Sequence, residues 1–423
     1  MRKINNNNIF NNIDWATVLI YLLLVMMGWM NIYSAVYNEE HHIITDISQK
    51  YGKQMIWIGT SLLLALIILI IDENFYTAFA YIIFAFFLLA NIAVPFLGRE
   101  VKGSRSWFRF GDFGIQPAEF MKFATNLAIA KFLSNQNIKI ADYKNTIITL
   151  LIIGVPLIII KVLQDETGLA IVFVAFIFTL YREGLSVNYL LLGFLAIVLF
   201  ILALLVNNMY LFVIIGSLCA VALLFARRNR ANLFIIAAAG LISCSMVKGT
   251  SYVYEHMEAH QKIRIDVLLG RGTVDLKKEG YNVNQAKIAI GSGGFLGKGY
   301  LQGTQTKYDF VPEQDTDFIF CTVGEEWGFL GSTFVIIMEL VLMIRVVFMA
   351  ERQRSPFSRI YGYGVASVLF FHLTVNVGMT IGLAPVIGIP LPFFSYGGSS
   401  LWSFTILLFI FIKLDSHRLQ ILR

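Results

Sequence analysis

Charge is scarce in this chain. Asp, Glu, Lys and Arg make up 14% of its 423 residues, against 57% apolar ones, and the mean hydropathy is +0.70. A soluble domain of this size has to cover itself with polar atoms, so a water-soluble globular class is excluded. Cysteine is rarer still. Cys219, Cys244 and Cys321 lie in or beside apolar runs without metal-ligand spacing and read as small core hydrophobes. Neither a helix-turn-helix nor a zinc pattern accompanies the net charge of +6, which therefore does not point to nucleic acid. No cleaved secretory signal is expected from the start of the sequence. Residues 1–13 are Asn-rich, carry Arg2 and Lys3, and run straight into an apolar stretch that reads as a retained first span.

What the chain has is apolar blocks of about 17–25 residues, the length that crosses a bilayer as a helix. The blocks fall at 15–36, 55–71, 76–97, 117–133, 146–163, 168–181, 188–206, 209–226, 232–248, 318–346, 360–382 and 398–413. The expected fold is an all-α polytopic membrane protein of about twelve transmembrane helices. Residues 1–423 form one integral-membrane domain, with a large extracytoplasmic loop at 249–317 before the last three spans. An even count puts both termini on one side. Lys and Arg in short loops stay cytoplasmic, and Arg2, Lys3, Lys131, Lys139, Lys144, Arg227, Arg228, Arg230, Arg345, Arg352, Arg354, Arg359, Lys413, Arg418 and Arg423 fall together under this count. Both termini are thus expected in the cytoplasm. The segments 36–54, 98–116, 164–167, 249–317 and 383–397 face outward. Cations also crowd the outward segments 98–116 and 249–317, where an anionic ligand or anionic lipid head groups would favour them.

Four stretches carry chemistry. Residues 103–111 interleave Arg105 and Arg109 with Trp107, Phe108 and Phe110, which suits an interface where Trp anchors and Arg reaches phosphate. The following Gln116-Pro117-Ala118-Glu119 opens a helix on which Glu119 and Lys122 share a face, as a ligand pair or as a mutual salt bridge that makes the span insertable. Gly291, Gly293 and Gly294, then Gly297-Lys298-Gly299, permit tight turns and close approach of backbone to a ligand. Asp309, Glu313, Asp315 and Asp317 precede an apolar span; such a cluster holds a divalent cation, raises one member to a general base, or is a solvated acidic loop. Asp317 sits where the span begins, as a partly desolvated carboxylate or as a helix cap. Glu325 and Glu326 lie deeper, as functional groups or as partners of a neighbouring cation. Pro385, Pro390 and Pro392, three of the chain's eight prolines, rule out a regular helix before Ser395 and Ser399. That segment reads as re-entrant or as a packed turn.

These stretches together resemble the RodA/FtsW cell-wall polymerases, the SEDS family. The family pattern has a basic-aromatic loop ending in Gln-Pro-Ser-Glu, a Gln-Pro-Asp-Leu-Gly turn, Ile-Ala-Ile-Gly-Ser-Gly-Gly, Pro-Glu-x-x-Thr-Asp-Phe-Ile-Phe, and Pro-Leu-Pro-Phe-x-Ser-Tyr-Gly-Gly-Ser. All five have counterparts here in the same order, and Asn376-Val377-Gly378-Met379 with Gly388-Ile389-Pro390 looks closer to the elongation branch, RodA, than to the division branch. The resemblance implies a peptidoglycan glycosyltransferase polymerising lipid II during cell elongation, in the bacterial cytoplasmic membrane with its active site outward. It places the essential acid on Asp317, the loop acid on Asp309, and conserved positions on Glu119, Lys122 and Arg264. Partners so implied are lipid II, the membrane, a class B penicillin-binding protein transpeptidase and other elongation-complex proteins. Three departures stand out. The Gln-Pro-Asp carboxylate would be Glu166, the usual His before Thr-Asp is Asp315, and the family's ten spans are here twelve, with an extra helix pair expected at 188–230.

On this reading Asp317 takes the acceptor proton. Arg105, Arg109, Lys122 and Arg264 offer charge to pyrophosphate. Lys298, Ser395, Ser399 and Glu119 are further substrate-binding candidates, and Glu166, Asp309 and Glu325 supporting acids. A divalent cation, Mg or Mn, at Asp317 and Asp309 would assist the leaving group. The rival classes are a lipid II flippase, which Glu325 and Glu326 favour, and a non-catalytic scaffold.

Overall fold

A computed structural model describes residues 12–37, 44–101, 104–111, 113–226, 229–270, 280–308 and 310–418. The chain forms two compact units, one of 1–185 with 282–423 and one of 186–281. Among the described residues ten helices are long and apolar enough to cross a membrane, and the protein is a multi-pass membrane protein.

The larger unit holds seven of those ten: α1 (Trp15–Ala35), α2 (Lys50–Ile70), α3 (Glu73–Leu97), α5 (Tyr143–Gln164), α14 (Ile319–Glu351), α15 (Pro356–Thr380) and α16 (Gly398–Ser416). The two remaining expected spans are shorter. One is α4 (Pro117–Leu133), 17 residues long. The other, Thr167–Arg182, is built from α6 (Thr167–Val172), a 3-10 turn and α7 (Phe176–Arg182). α4 packs against α3, α5, α15 and α16, and only Lys131 and Phe132 along it are even partly exposed. A helix enclosed by other helices meets no lipid, so it needs no apolar outer face, and Glu119, Lys122 and Asn126 are tolerated there.

Ion pairs gather one end of this unit. Asp14 caps α1 by accepting from the Thr17 amide and also accepts from Arg345 at 2.6 Å and Arg352 at 3.2 Å. Arg352 and Arg418 meet Asp415, Arg182 meets Glu351, and Arg359 meets Glu183. Of the cations expected to share a membrane side, Arg345, Arg352, Arg359 and Arg418 enter these ion pairs. Burial alone would raise the Asp14 carboxyl, but the Arg345 guanidinium and the Thr17 donors outweigh it and hold the group below the usual carboxylate range. Its folded value is depressed, so its contribution is full above the unfolded value of about 4 and is lost as pH falls through the folded one. Asp14→Asn is expected to lower the melting temperature by a few degrees at pH 7, and the gap from wild type to close below about pH 4. A gap unchanged in acid would remove the assigned role.

At the opposite end of this unit, parts of the segments expected to face outward meet through the Ser106–Glu166 and Ser399–Gly114 bonds. Residues 99–115 form an antiparallel meander, β1 (Arg99–Val101), β2 (Ser104–Phe110) and β3 (Phe113–Ile115), with Phe108 opposite Ile115 and Arg109 opposite Gly114. This small sheet is an addition to the all-α expectation. The segment read as a long loop is also mostly helical: besides the end of the tenth helix it contains α11 (Ala259–Leu269), α12 (Tyr281–Ser292) and α13 (Thr304–Lys307).

The smaller unit contains α8 (Val187–Leu205), α9 (Asn208–Phe225), α10 (Arg230–His256) and α11. Ser186, Asn207 and Asn229 each cap the helix that follows by accepting a backbone N–H. Leu199, Ala203, Leu211, Ile215 and Val247 form its core. The pair expected at 188–230 corresponds to α8 and α9, which pack with α10.

α14 is broken. Gly328 takes φ 62° and ψ −157°, which interrupts the helical ladder inside a span. Freed backbone groups at membrane depth need partners, and the glycine-rich segment supplies them. The amides of Lys298 and Gly299 donate to the carbonyls of Glu325 and Glu326, each at 3.0 Å. The amides of Phe329 and Leu330 donate to the carbonyls of Gly294 and Phe295 at 2.9 and 3.2 Å. A Cβ at Gly293 or Gly297 would collide with the backbone of α14. The glycines therefore do permit close approach, but what approaches is this chain's own helix; and the run 288–292, expected as loop, is the last part of α12.

Candidate active site at one membrane face

Asp317 lies in the turn that leads into α14 and is partly exposed. The cap of α14 is Phe318, without a side-chain cap bond, so Asp317 is not the helix cap. Its surroundings come from the proline-rich segment and α15. Asn376 Nδ2 donates to the Asp317 carbonyl at 2.8 Å and to the Ile389 carbonyl at 2.7 Å. Gly388, at φ +68°, lies against the carboxyl: a Cβ there would stand 3.2 Å from Asp317 Oδ2. Residues 385–391 are non-helical, and Ile389, Leu391, Phe393 and Phe394 are buried in protein, as apolar irregular backbone requires.

Further bonds join the neighbouring segments. Lys50 pairs with Asp315 at 2.8 Å, the Tyr396 amide donates to the Asp315 carbonyl, and Gln314 donates to the Ala35 carbonyl. Ser395 Oγ donates to the Thr316 carbonyl at 2.7 Å and accepts from the Leu391 amide. Ser399 Oγ donates to the Gly114 carbonyl and accepts from the Gln116 amide, each at 3.2 Å. Glu166 accepts from Ser106 Oγ at 2.7 Å, which ties the sheet to the turn after α5.

The expected site residues divide by exposure. Arg105 and Arg109 stand exposed on β2, Arg105 3.6 Å from Glu100. Arg264 is exposed on α11 in the smaller unit. Asp309 lies outside the described residues. Glu119, Lys122, Lys298 and Glu325, like Ser395 and Ser399, have partners within the protein. Glu119 and Lys122 are 3% and 1% exposed and form a 2.6 Å ion pair. Lys298 bonds Glu325 and Thr304 Oγ1. Glu325, fully buried, accepts from the amides of Thr304, Gln305 and Thr306 as well as from Lys298. Ser34 donates to Glu326. Glu325 therefore fastens residues 298–306 to α14. Glu325→Gln, which turns one acceptor into a donor facing donors, is expected to cost about 2–3 kcal/mol, read as a lower melting temperature. An unchanged midpoint would refute the fastening role.

Lys50, His372 and the double role of Asn376 were not anticipated. His372 carried a signal, since an ionisable residue inside a span is a functional candidate and Asn376 lies four residues on, along the same helical face. Lys50 carried none.

Fold and site together define a multi-pass helical membrane protein with a carboxylate held at the start of a broken span, beside a packed non-helical segment. The FtsW/RodA/SpoVE profile, described as a cell cycle protein, matches residues 14–212 and 195–420. Peptidoglycan glycosyltransferase RodA of Treponema pallidum is 31% identical over 438 aligned residues, covering 97% of this chain and 99% of that protein. Peptidoglycan glycosyltransferase MrdB of Escherichia coli K12 is 29% identical over 407, covering 96% and 94%. The chain belongs to the FtsW/RodA/SpoVE family. Its fold matches the crystal structure of Thermus thermophilus rod shape determining protein RodA, with a TM-score of 0.62 and 24% identity over 97% of this chain and 99% of that one. It also matches a chain from a study of polymerization and crosslinking by a peptidoglycan synthase complex, with a TM-score of 0.71 and 23% identity over 96% and 99%.

Proposed function

We propose that the chain is a peptidoglycan glycosyltransferase that polymerises lipid II into glycan strands during cell elongation. The observation that carries this is the partly exposed Asp317, its backbone fixed by Asn376 and its carboxyl set against Gly388 where a span begins. As the acceptor sugar's 4-hydroxyl oxygen bonds the donor's anomeric carbon, its proton passes to the Asp317 carboxylate. The bond from that carbon to pyrophosphate breaks, and undecaprenyl pyrophosphate leaves. Arg105 and Arg109, exposed on β2, offer charge to the pyrophosphates.

The same reading puts the end rich in Arg345, Arg352 and Arg359 in the cytoplasm with both termini, and Asp317 on the outer face of the bacterial inner membrane. A class B penicillin-binding protein, within a larger elongation complex, would cross-link the nascent glycan. A divalent cation, Mg or Mn, at Asp317 and Asp309 belongs to this reading. Among the described residues, though, no three His, Cys, Asp or Glu side chains gather to hold a metal, and no step here passes through one. The carboxylates that would favour a flippase are engaged, Glu325 by Lys298 and three amides and Glu326 by Ser34.

The test is glycan synthesis from purified labelled lipid II, with and without the cognate transpeptidase. Polymer from the purified protein is the expected result. No polymer from folded protein with its partner present would transfer the reading to flippase or scaffold.

A further inference from the structure

Three ionisable side chains are enclosed next to the site without reaching it. Glu119, Lys122 and His372 are 3%, 1% and 0% exposed. Lys122 Nζ lies 2.6 Å from Glu119 Oε2, 3.2 Å from His372 Nε2 and 4.2 Å from the centre of the Phe404 ring. His372 Nδ1 lies 3.0 Å from the carbonyl oxygen of Pro390. A carbonyl only accepts, so Nδ1 carries the proton and donates. Nε2 then presents its lone pair to the Lys122 ammonium. Every polar contact in the row is satisfied by one arrangement: carboxylate, ammonium, neutral imidazole, carbonyl.

The row ends on the backbone that shapes the surroundings of Asp317. Pro390 follows Gly388, against which Asp317 Oδ2 rests, and Ile389, whose carbonyl accepts from Asn376. His372 and Asn376 are four apart on α15, so one helical face holds two successive carbonyls, Ile389 and Pro390, and the Asp317 carbonyl besides. Burying three ionisable groups is costly unless each is paired. Here the pairing fixes an irregular segment that has no ladder of its own.

We propose that His372 is a positioning residue for Asp317, tying the Gly388–Pro390 backbone to the buried Glu119–Lys122 pair. This rests on reading Asp317 as the general base. A shift of about 1 Å at a reacting group costs on the order of 100-fold in rate, and losing the tie lets the segment move. His372 touches no substrate, so substrate affinity is spared.

The test compares His372→Leu with His372→Gln in the full-length protein with its partner. Gln keeps a donor for Pro390 and an acceptor for Lys122; Leu keeps neither. For His372→Leu, kcat is expected to fall about 100-fold with KM little changed, and for His372→Gln both stay close to wild type. Hydrogen exchange gives a readout independent of turnover. The amides of Leu391, Ser395 and Tyr396, bonded in wild type, exchange faster in the Leu variant only, while the amides around Asp14 and Arg345 are unaffected. Wild-type kcat in His372→Leu overturns the proposal. So does a loss shared equally by the Gln variant, with exchange raised at both ends of the bundle, which marks a general folding role. If wild type itself makes no polymer, the polymerase reading fails, and the exchange pattern alone decides whether His372 holds the segment.

Discussion

Asp317→Asn is expected to abolish glycan synthesis from purified lipid II while the protein still folds and inserts. Asparagine keeps the size of the side chain but cannot take the acceptor's proton, and a positioned base contributes about 10²–10⁴-fold. The change should leave the structure alone. The Asn376 bond goes to the Asp317 backbone carbonyl, which the substitution does not touch, and the close fit against Gly388 suits either residue. The melting temperature should therefore stay near wild type while kcat drops at least about 100-fold. Asp317→Glu separates charge from geometry. It restores the carboxylate but adds a methylene where Gly388 leaves little room, so its rate should fall between wild type and Asn. A fully active Asp317→Asn protein would remove the acid from the mechanism, and with it the observation on which the polymerase reading stands.

The spans were legible because bilayer thickness imposes a length and an apolarity on each. α4 was readable despite Glu119 and Lys122, and the reason it tolerates them, enclosure by four other helices, is tertiary. The break in α14 was not legible. Residues 318–346 read as one continuous apolar span, and Gly328 interrupts it only because Gly294, Phe295, Lys298 and Gly299 bring matching carbonyls and amides from outside the helix. The glycine motif reads from sequence as a place where backbone approaches a ligand, whereas the backbone that comes close is that of α14. The meander at 99–115 left a local trace: Arg105 and Arg109 alternate with buried Ser106 at the period of a strand. In the site, Asp317 stood out from its own neighbours in sequence. Asn376 reaches Asp317 itself, Lys50 reaches Asp315 and His372 reaches Pro390, each from another helix, and no local pattern records a contact across 18 residues of chain or more.

Lys122→Met is expected to be the most destabilising single change near the site. It removes the ammonium and leaves the Glu119 carboxylate buried without a counter-charge, which costs about 3–5 kcal/mol. It also strips the acceptor nitrogen of His372 of its donor. Thermal unfolding in detergent should show a large drop in midpoint. The double variant Glu119→Leu/Lys122→Met takes both charges away, and replacing a buried pair by apolar side chains of similar volume is often neutral, so its midpoint should recover. Activity should not recover with it. His372 would still bond Pro390 but would have lost the anchor behind it, and the backbone beside Asp317 would be held from one side only. A stable double variant with low kcat separates the two duties of the pair, balancing its own burial and steadying the segment that faces the base. If stability and kcat return together, the pair serves insertion and packing alone, and Asp317 is held by Asn376 and the Ser395–Thr316 bond without help from α4.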